Sequence, residues 1–468
     1  MSLPRGEEEI ETIGNVSYPE VEPAAGNLIF DASFESGNLG RADKISQSEY
    51  DLFIRPDTLG EKYRVWFYFE TKNATENQRV IFNIVNFSKQ RTLFEMGIAA
   101  PVVKSAENNN WTRIPSRHIY YYRSTQHSDR WILSFAFIFE SPDPVQFAYC
   151  IPYTYGYMQK WLGELEARKY TFFSRDLLAM SVQKRRLDLL TIDGSTDPLT
   201  NSGAKKMIFL TARIHPGETP SSHVMHGIIE FLVSKDERAQ KLRKVYCFKL
   251  IPMLNPDGVY HGNYRCSLVG HDLNRMWRQP SEWAHPTIFA VKNLLQQYDA
   301  NPMANPVIYI DLHAHSQKPN CFLYGNVSAN SGDRQLWLPQ LLSEIAEDYS
   351  LEFTQFNTDV EKAGTGRRTM GELLGCLCYT MEVSFFSYRH LDSATGVQHC
   401  TAYLQYKYES LGESICKALL NFYEADCGIR EIRPTRSFRS FLSNRAQKSL
   451  KQARQMIKTV KNISIDRS

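Results

Sequence analysis

No stretch of the 468-residue chain is apolar for long enough to cross a bilayer, which takes about 20 residues as a helix. Residues 1–26 are acidic and hold no apolar core. Neither a secretory signal nor an Arg-rich transit peptide is read there, and the segment is expected to be disordered. Cysteine provides no framework. Nine are scattered along the chain, an odd number without zinc-ribbon spacing, which points to reduced thiols in a cytosolic protein. Cys376 and Cys378 are too close for an ordinary structural bridge and read as core residues of a strand. Internal repeats are missing. So is a P-loop: no G-x-x-x-x-G-K-[ST] occurs, and the glycine-rich "KAGTGRRT" lacks that spacing. A strong overall charge is missing too, at +3, and no nucleic-acid partner is expected. That balance conceals an asymmetry. From Arg430 onward eleven Lys and Arg face Glu431 and Asp466, a balance of +9 that leaves −6 for the rest.

What is present divides the chain by periodicity. Within residues 27–155, "YRVWFYFETKN", "RVIFNIVNFS", "HIYYYRS" and "WILSFAFIFE" alternate aromatic and aliphatic residues between turn formers, which predicts an all-β sandwich. "FAYCIPYTYGYMQKWLGELEARK" then changes to helical spacing and marks a boundary. Across residues 156–428, "RRLDLLTID", "KMIFLTARIH", "VYCFKLIPMLNP", "PVIYIDLHAHS" and "CYTMEVSFFS" read as strands. Helical stretches at 223–234, 285–298, 336–349 and 403–423 fall between or after them. That pattern predicts an α/β domain, a mixed sheet flanked by helices. Residues 429–468 form a basic tail in which Leu442, Ala446, Leu450, Ala453, Ile457 and Val460 recur at helical spacing. Such a helix suits an acidic partner or an anionic membrane surface.

The residues with chemistry cluster in a few short stretches. In "HPGETPSSHVMHGIIEFL", His215 and Glu218 fall in a strand-to-helix turn, where a rigid scaffold commonly carries function. Alone the pair is weak, because a glutamate also suits the positive end of any helix. "YIDLHAHS" adds His313 at a buried strand end, as His215 is, and sites in open α/β sheets form at such ends. Two histidines, a glutamate and a water make a common catalytic zinc set. His315 competes as a ligand, or stands behind the ligands, since residues i and i+2 share a strand face. Glu382 sits inside the apolar "CYTMEVSFF", where an unpaired carboxylate is costly. It serves either as a general base beside a metal-bound water or as the partner of a buried arginine. "NPDGVYHGNYRCSLVGHDLNRMW" supplies Arg265, Asn274 and Arg275, which together suit a grip on a carboxylate.

In this order, H-P-G-E, N-P-D-G, D-L-N-R, D-L-H-A-H-S and T-M-E-V-S resemble the M14 metallocarboxypeptidases. "HPGETPSS" behind a β-domain is similar to the cytosolic carboxypeptidase subfamily, as are "LIFDASFESGNLGR", "YDLFIRPDT", "RVIFNIVNFSK" and "FAYCIPYTYGYMQ". The resemblance runs from about Asn27 to Tyr423.

The resemblance implies roles. His215, Glu218 and His313 would hold one zinc ion per chain, and Glu382 would be the general base. Arg265 would polarise the scissile carbonyl and stabilise the oxyanion. Asn274 and Arg275 would hold the terminal carboxylate. Arg367, with Arg368 as the alternative, would stand at the bottom of the side-chain pocket, where a cation suits an acidic residue. The position of the family's mobile tyrosine is left open. The implied activity is removal of C-terminal or side-chain glutamates from acidic protein tails. Glutamate-rich tails such as those of tubulin and microtubules are the implied partners. The implied location is the cytoplasm, with microtubules, centrioles or cilia. Two alternatives stand beside it: a different metal hydrolase built on His313 and His315, and a non-catalytic binder of polyglutamylated filaments.

Overall fold

The structure is a computed structural model that describes residues 24–89, 93–106, 110–194, 205–327, 332–357, 359–392, 395–433, 438–440 and 442–443. Most of the expected disordered lead-in lies outside these residues, as do Ala446, Leu450, Ala453, Ile457 and Val460 of the basic tail. Among the described residues no helix is long and apolar enough to cross a membrane.

The first part of the chain folds as two five-stranded sheets. One has the spatial order Ile29–Asp31, Tyr68–Lys72, Val145–Ala148, Val102–Ser105, Thr112–Arg113. The other runs Arg41–Ser46, Glu49–Phe53, Gln78–Ile84, Arg130–Phe139, Ile119–Ser124. Alternation along each strand sends every second side chain inward. Val80, Phe82 and Ile84 are buried on one strand, and Leu133, Phe135 and Phe139 on its neighbour. Phe82 lies 5.4 Å from Phe135 within its own sheet and 5.2 Å from Phe147 of the other, ring centre to ring centre, so aromatic contacts within and between the two sheets form the core.

α1 (Tyr155–Ala167) follows, with the Thr154 side chain accepting from the Tyr157 amide as its N-cap. The second part is built on an eight-stranded sheet: β1 (Phe173–Met180), β2 (Arg186–Ile192), β3 (Lys205–Ala212), β4 (Tyr246–Ile251), β5 (Ala304–His315), β6 (Cys321–Asn326), β7 (Gln355–Asn357) and β8 (Leu377–Ser384). Their spatial order is β1-β2-β4-β3-β5-β8-β6-β7. β4, β3, β5 and β8 run parallel, while β1 and β2 on one side and β6 on the other join antiparallel. The sheet is therefore mixed, and helices cover it. The buried central strands carry continuous apolar runs, such as "MIFL" of β3, because both faces are covered.

The helices are α2 (Thr219–Val233), α3 (Glu237–Val245), α4 (Pro256–Tyr260), α5 (Pro286–Ala300), α6 (Trp337–Ile345), α7 (Gly366–Leu374) and α8 (Gln405–Asp426). α2 and α8 pack closely. A Cβ on Gly227 would stand 2.1 Å from the Glu409 carbonyl oxygen, so only glycine admits the approach. α2 begins before the expected residue 223 because Pro220 fits the first turn and Glu218 occupies the cap position. α6 ends at Ile345 rather than 349. α3, α4 and α7 are helices that the sequence patterns did not indicate. The glycines of "GTGRR" hid α7, which starts at Gly366.

Candidate active site

β3 ends at Ala212 and α2 starts at Thr219, so His215 sits in the strand-to-helix turn, as expected. His313 lies inside β5. The turn that holds His215 is locked from below. Arg213 adopts a left-handed backbone with φ 56° and is buried. Its guanidinium donates to the Pro216 carbonyl at 2.7 Å and to the Tyr153 carbonyl and Ser222 hydroxyl at 3.0 Å each. Gly217 is required by the approach of Tyr264, whose ring would lie 2.6 Å from a Cβ. These contacts give "H-P-G-E" its composition: proline and glycine shape the turn, and His215 and Glu218 project from it.

Glu218 caps α2 without bonding the helix amides. Its carboxylate instead faces both histidines, Oε1 2.7 Å from His215 Nδ1 and Oε2 3.0 Å from His313 Nδ1. The Ala314 amide also donates to it at 2.9 Å. The far nitrogens are held too. His215 Nε2 lies 3.1 Å from Asp272 Oδ1, and His313 Nε2 lies 2.8 Å from Asp311 Oδ2. Each ring is thus oriented with Nδ1 toward Glu218 and a carboxylate behind, the usual arrangement for histidine ligands. Burial disfavours charge on His313, but Asp311 and Glu218 outweigh it and hold the ring well above the ordinary histidine range. Burial likewise opposes the Glu218 carboxylate, and His215 and His313 outweigh it and hold it well below the carboxylate range.

Ligand atoms of His215, Glu218 and His313 all lie within 4.8 Å of one another, and the three residues are buried. Two imidazole nitrogens and a carboxylate oxygen with a backing carboxylate on each ring fit a zinc ion. Among the described residues this is the one group of three or more such side chains close enough to hold a metal. His315 is outside it. Its Nδ1 accepts from the Gln317 and Lys318 amides, at 3.1 and 3.2 Å, and the ring lines the same cavity. A site built on His313 with His315 is not what the fold assembles.

Glu382 stands beside the cluster because β5 and β8 pair in register, with His313 opposite Glu382. It is half-buried and opens on the cavity. Among the described residues no arginine is within ion-pair distance, so the alternative of a buried Arg–Glu pair does not describe it. Burial, with Glu218 adding to it against the pull of His313, His215 and Arg265, pushes its carboxyl up to about 7. A carboxylate poised near neutrality can both take and return a proton.

The cavity, about 380 Å³, is also lined by Arg265, Asn274, Arg275 and Arg367. Arg265 is gripped by Asp272, with Nε and Nη2 2.9 and 2.6 Å from Oδ2. Asn274 is oriented by the Gly366 amide, which donates to its Oδ1 at 3.0 Å and leaves the NH₂ 3.3 Å from His313 Nε2. Arg275 donates to the Asn274 carbonyl at 3.0 Å. Arg367, in the first turn of α7, is buried. Its Nη1 donates to the Gly325 carbonyl and Asn326 Oδ1 at 2.7 and 2.6 Å, and its Nη2 to Asn357 Oδ1 at 3.2 Å. Burial, then the like charge of Arg368, lowers it to about 10. Arg368 is not among the residues lining the cavity.

The fold therefore brings every expected site residue to one cavity, and it adds others that the sequence reading passed over. Asp272 and Asp311 open "D-L-N-R" and "D-L-H-A-H-S". Asp311 was findable, because it shares a strand face with His313. Asp57 was not, since it acts across the domain boundary: its buried carboxylate accepts from the amides of Tyr264, Arg265 and Cys266 at 2.6, 2.7 and 2.7 Å. The β-sandwich thus holds the loop that carries Arg265.

Residues 158–394 match the family profile described as zinc carboxypeptidase, and residues 30–149 match that of the cytosolic carboxypeptidase N-terminal domain. The chain is 79% identical to cytosolic carboxypeptidase 6 of Caenorhabditis elegans over 90% of this chain and 92% of that one. It is 49% identical to cytosolic carboxypeptidase 6 of Homo sapiens over 88% of this chain and 82% of that one. A solved metallo-carboxypeptidase from Burkholderia cenocepacia shares the fold, with a TM-score of 0.69 at 21% identity over 85% of this chain and 99% of its own.

Proposed function

From the premise that this chain belongs to the zinc carboxypeptidase family, we propose that it removes glutamates, C-terminal or side-chain-linked, from acidic protein tails such as those of tubulin. Family membership makes it a metallocarboxypeptidase, an enzyme rather than a mere binder of such tails. His215, Glu218 and His313 would hold the zinc, which when bound supplies a Lewis acid for the scissile carbonyl and the attacking water.

The chain's own groups do the rest. Asn274 and Arg275 bind the terminal carboxylate and set the last peptide bond beside Glu382. Glu382 takes a proton from water as the water attacks, then gives it to the departing amine. Arg265, held rigid by Asp272, donates to the oxygen where negative charge develops.

The observation that carries the glutamate reading is Arg367. It is buried at the cavity wall and anchored only to neutral oxygens. Among the described residues no carboxylate lies within ion-pair distance, and Asp359 acts on it only from farther off. A buried cation held by neutral groups favours an anionic ligand. The named relatives are cytosolic carboxypeptidases, and a cytoplasmic enzyme at microtubule-bearing structures is the setting that fits.

The test is mass spectrometry of zinc-loaded protein with a peptide ending in several glutamates. Stepwise loss of glutamate is expected, with Leu- and Lys-ended peptides left largely intact. Efficient trimming of the Leu-ended peptide would sink the reading.

A further inference from the structure

One cation in the active-site cavity does not come from the catalytic domain. Lys89, from the β-sandwich, lines the same cavity as His215, Glu218, His313 and Glu382. We propose that Lys89 reads the side chain of the penultimate substrate residue and selects for an acidic one there.

Lys89 is held from both ends. Its backbone carbonyl accepts from the Tyr121 hydroxyl, and the Tyr121 ring stacks on Trp131 with centroids 4.9 Å apart and planes 14° apart. Its ammonium lies over the Tyr264 ring, 5.3 Å from the centroid. A cation over an aromatic face keeps its position without being neutralised. Among the described residues no carboxylate is within ion-pair distance of Lys89.

The direction of the substrate follows from where the other groups are anchored. Arg367 is tied to Gly325 and Asn326 of β6 and to Asn357 of β7, at one edge of the sheet. The Asn274–Arg275 segment packs on the start of α7, since Asn274 accepts from Gly366 and a Cβ on Gly364 would stand 2.7 Å from the Arg275 carbonyl oxygen. The groups for the C-terminal residue therefore gather on the β6–β7 side. His215, His313 and Glu382, on β3, β5 and β8 or just past them, come next. Tyr264, with Lys89 above it, lies past the strand ends, against Phe385 just after β8 and against Gly217 in the turn that carries His215. The Gly325 that anchors Arg367 pairs with Tyr379 near the start of β8, so Glu382 lies between the two along that strand. A peptide with its last residue among Asn274, Arg275 and Arg367 and its last bond at Glu382 has its preceding residue directed toward Lys89. An ammonium on a flexible stem suits an acidic side chain of variable reach.

The inference rests on the cleavage polarity of the proposed function and deepens its substrate class to consecutive acidic residues. The test uses zinc-loaded full-length protein and peptides that end in Glu-Glu or Gln-Glu and are otherwise identical. Wild type is expected to favour Glu-Glu. Lys89→Gln should lose about tenfold more kcat/KM on Glu-Glu than on Gln-Glu, mainly through KM, and Lys89→Arg should recover most of the difference. Zinc content and thermal midpoint report whether the fold is intact. Equal losses on both peptides, or none, would overturn the role of Lys89. Should wild type prefer another C-terminal residue, the reading of Arg367 fails. The Lys89 comparison is then made with that residue preceded by Glu or Gln, and the same tenfold difference decides it.

Discussion

Around His215, Glu218 and His313 each titratable group faces one of opposite sign: Glu218 lies between two rings, and Asp272 and Asp311 lie behind them. Arg265 belongs to this half, since burial is outweighed by Asp272 and Glu218, which raise it above the ordinary arginine range. Arg367, on the other side of the same cavity, meets only a carbonyl and two side-chain amides, and burial lowers it to about 10. One half carries negative charge to spare and suits a cation. The other carries positive charge to spare and suits an anion. The difference lies in the partners of the charged groups rather than in how deeply they are buried.

The comparison breaks most severely if the metal half loses its ion. Glu218→Gln, or treatment of wild type with a chelator, should abolish turnover, and zinc should restore the chelated wild type. Metal analysis beside the activity assay checks it; a metal-free protein that still trims peptides would end the assignment. Next in size is Glu382→Gln, which should cost about 10²–10⁴-fold in kcat while metal content stays near wild type. Near-normal turnover would remove Glu382 from the reaction. Reversing the anion-binding half with Arg367→Glu should reduce trimming of Glu-ended peptides by roughly 10²-fold and leave zinc bound. Unchanged selectivity would show that the cation for the substrate side chain lies elsewhere.

Smaller effects sharpen the comparison. Asp272→Asn and Asp311→Asn keep the shape but remove the charges behind the rings, and each should weaken zinc affinity or activity by about 10–100-fold. Competition with a chelator measures the first, and kcat/KM the second. Asp272→Asn should be the more harmful to turnover at saturating zinc, because it also frees Arg265. The smallest change is with pH. Glu382 must be ionised to take a proton, and its carboxyl is pushed up to about 7. Activity should therefore fall as pH drops through the folded value. Zinc's positive charge favours the ionised form, so the midpoint of that acid limb should lie at or below 7. A profile flat down to pH 4 would show that Glu382 is not the titrating base.

Much of the site was legible because it is local. "H-P-G-E" lies in one turn, and "D-L-H" places Asp311 and His313 on one strand face. The mixed sheet was legible from apolar strands alternating with helices. α2 starts at Thr219, a little ahead of the stretch expected at 223–234, because Glu218 occupies its cap and Pro220 fits its first turn. α7 was hidden by glycines that make room for neighbours: a Cβ on Gly366 would stand 3.0 Å from Trp277 and Tyr309 atoms. The role of Asp57 was beyond reach, because its partners are amides some two hundred residues away in the chain.

By itself the sequence determined which groups are available and which local segments carry them: two histidines, a glutamate in an apolar strand, and arginines in loops. Residue type and short spacing encode that much. Only the tertiary structure decided how the charges pair. The register of β5 with β8 sets Glu382 beside His313, α7 turns Arg367 toward neutral oxygens, and the β-sandwich brings Asp57 and Lys89 to the catalytic loop and cavity. The physical reason is that electrostatic interaction depends on distance and burial, and chain folding sets both between residues remote in sequence.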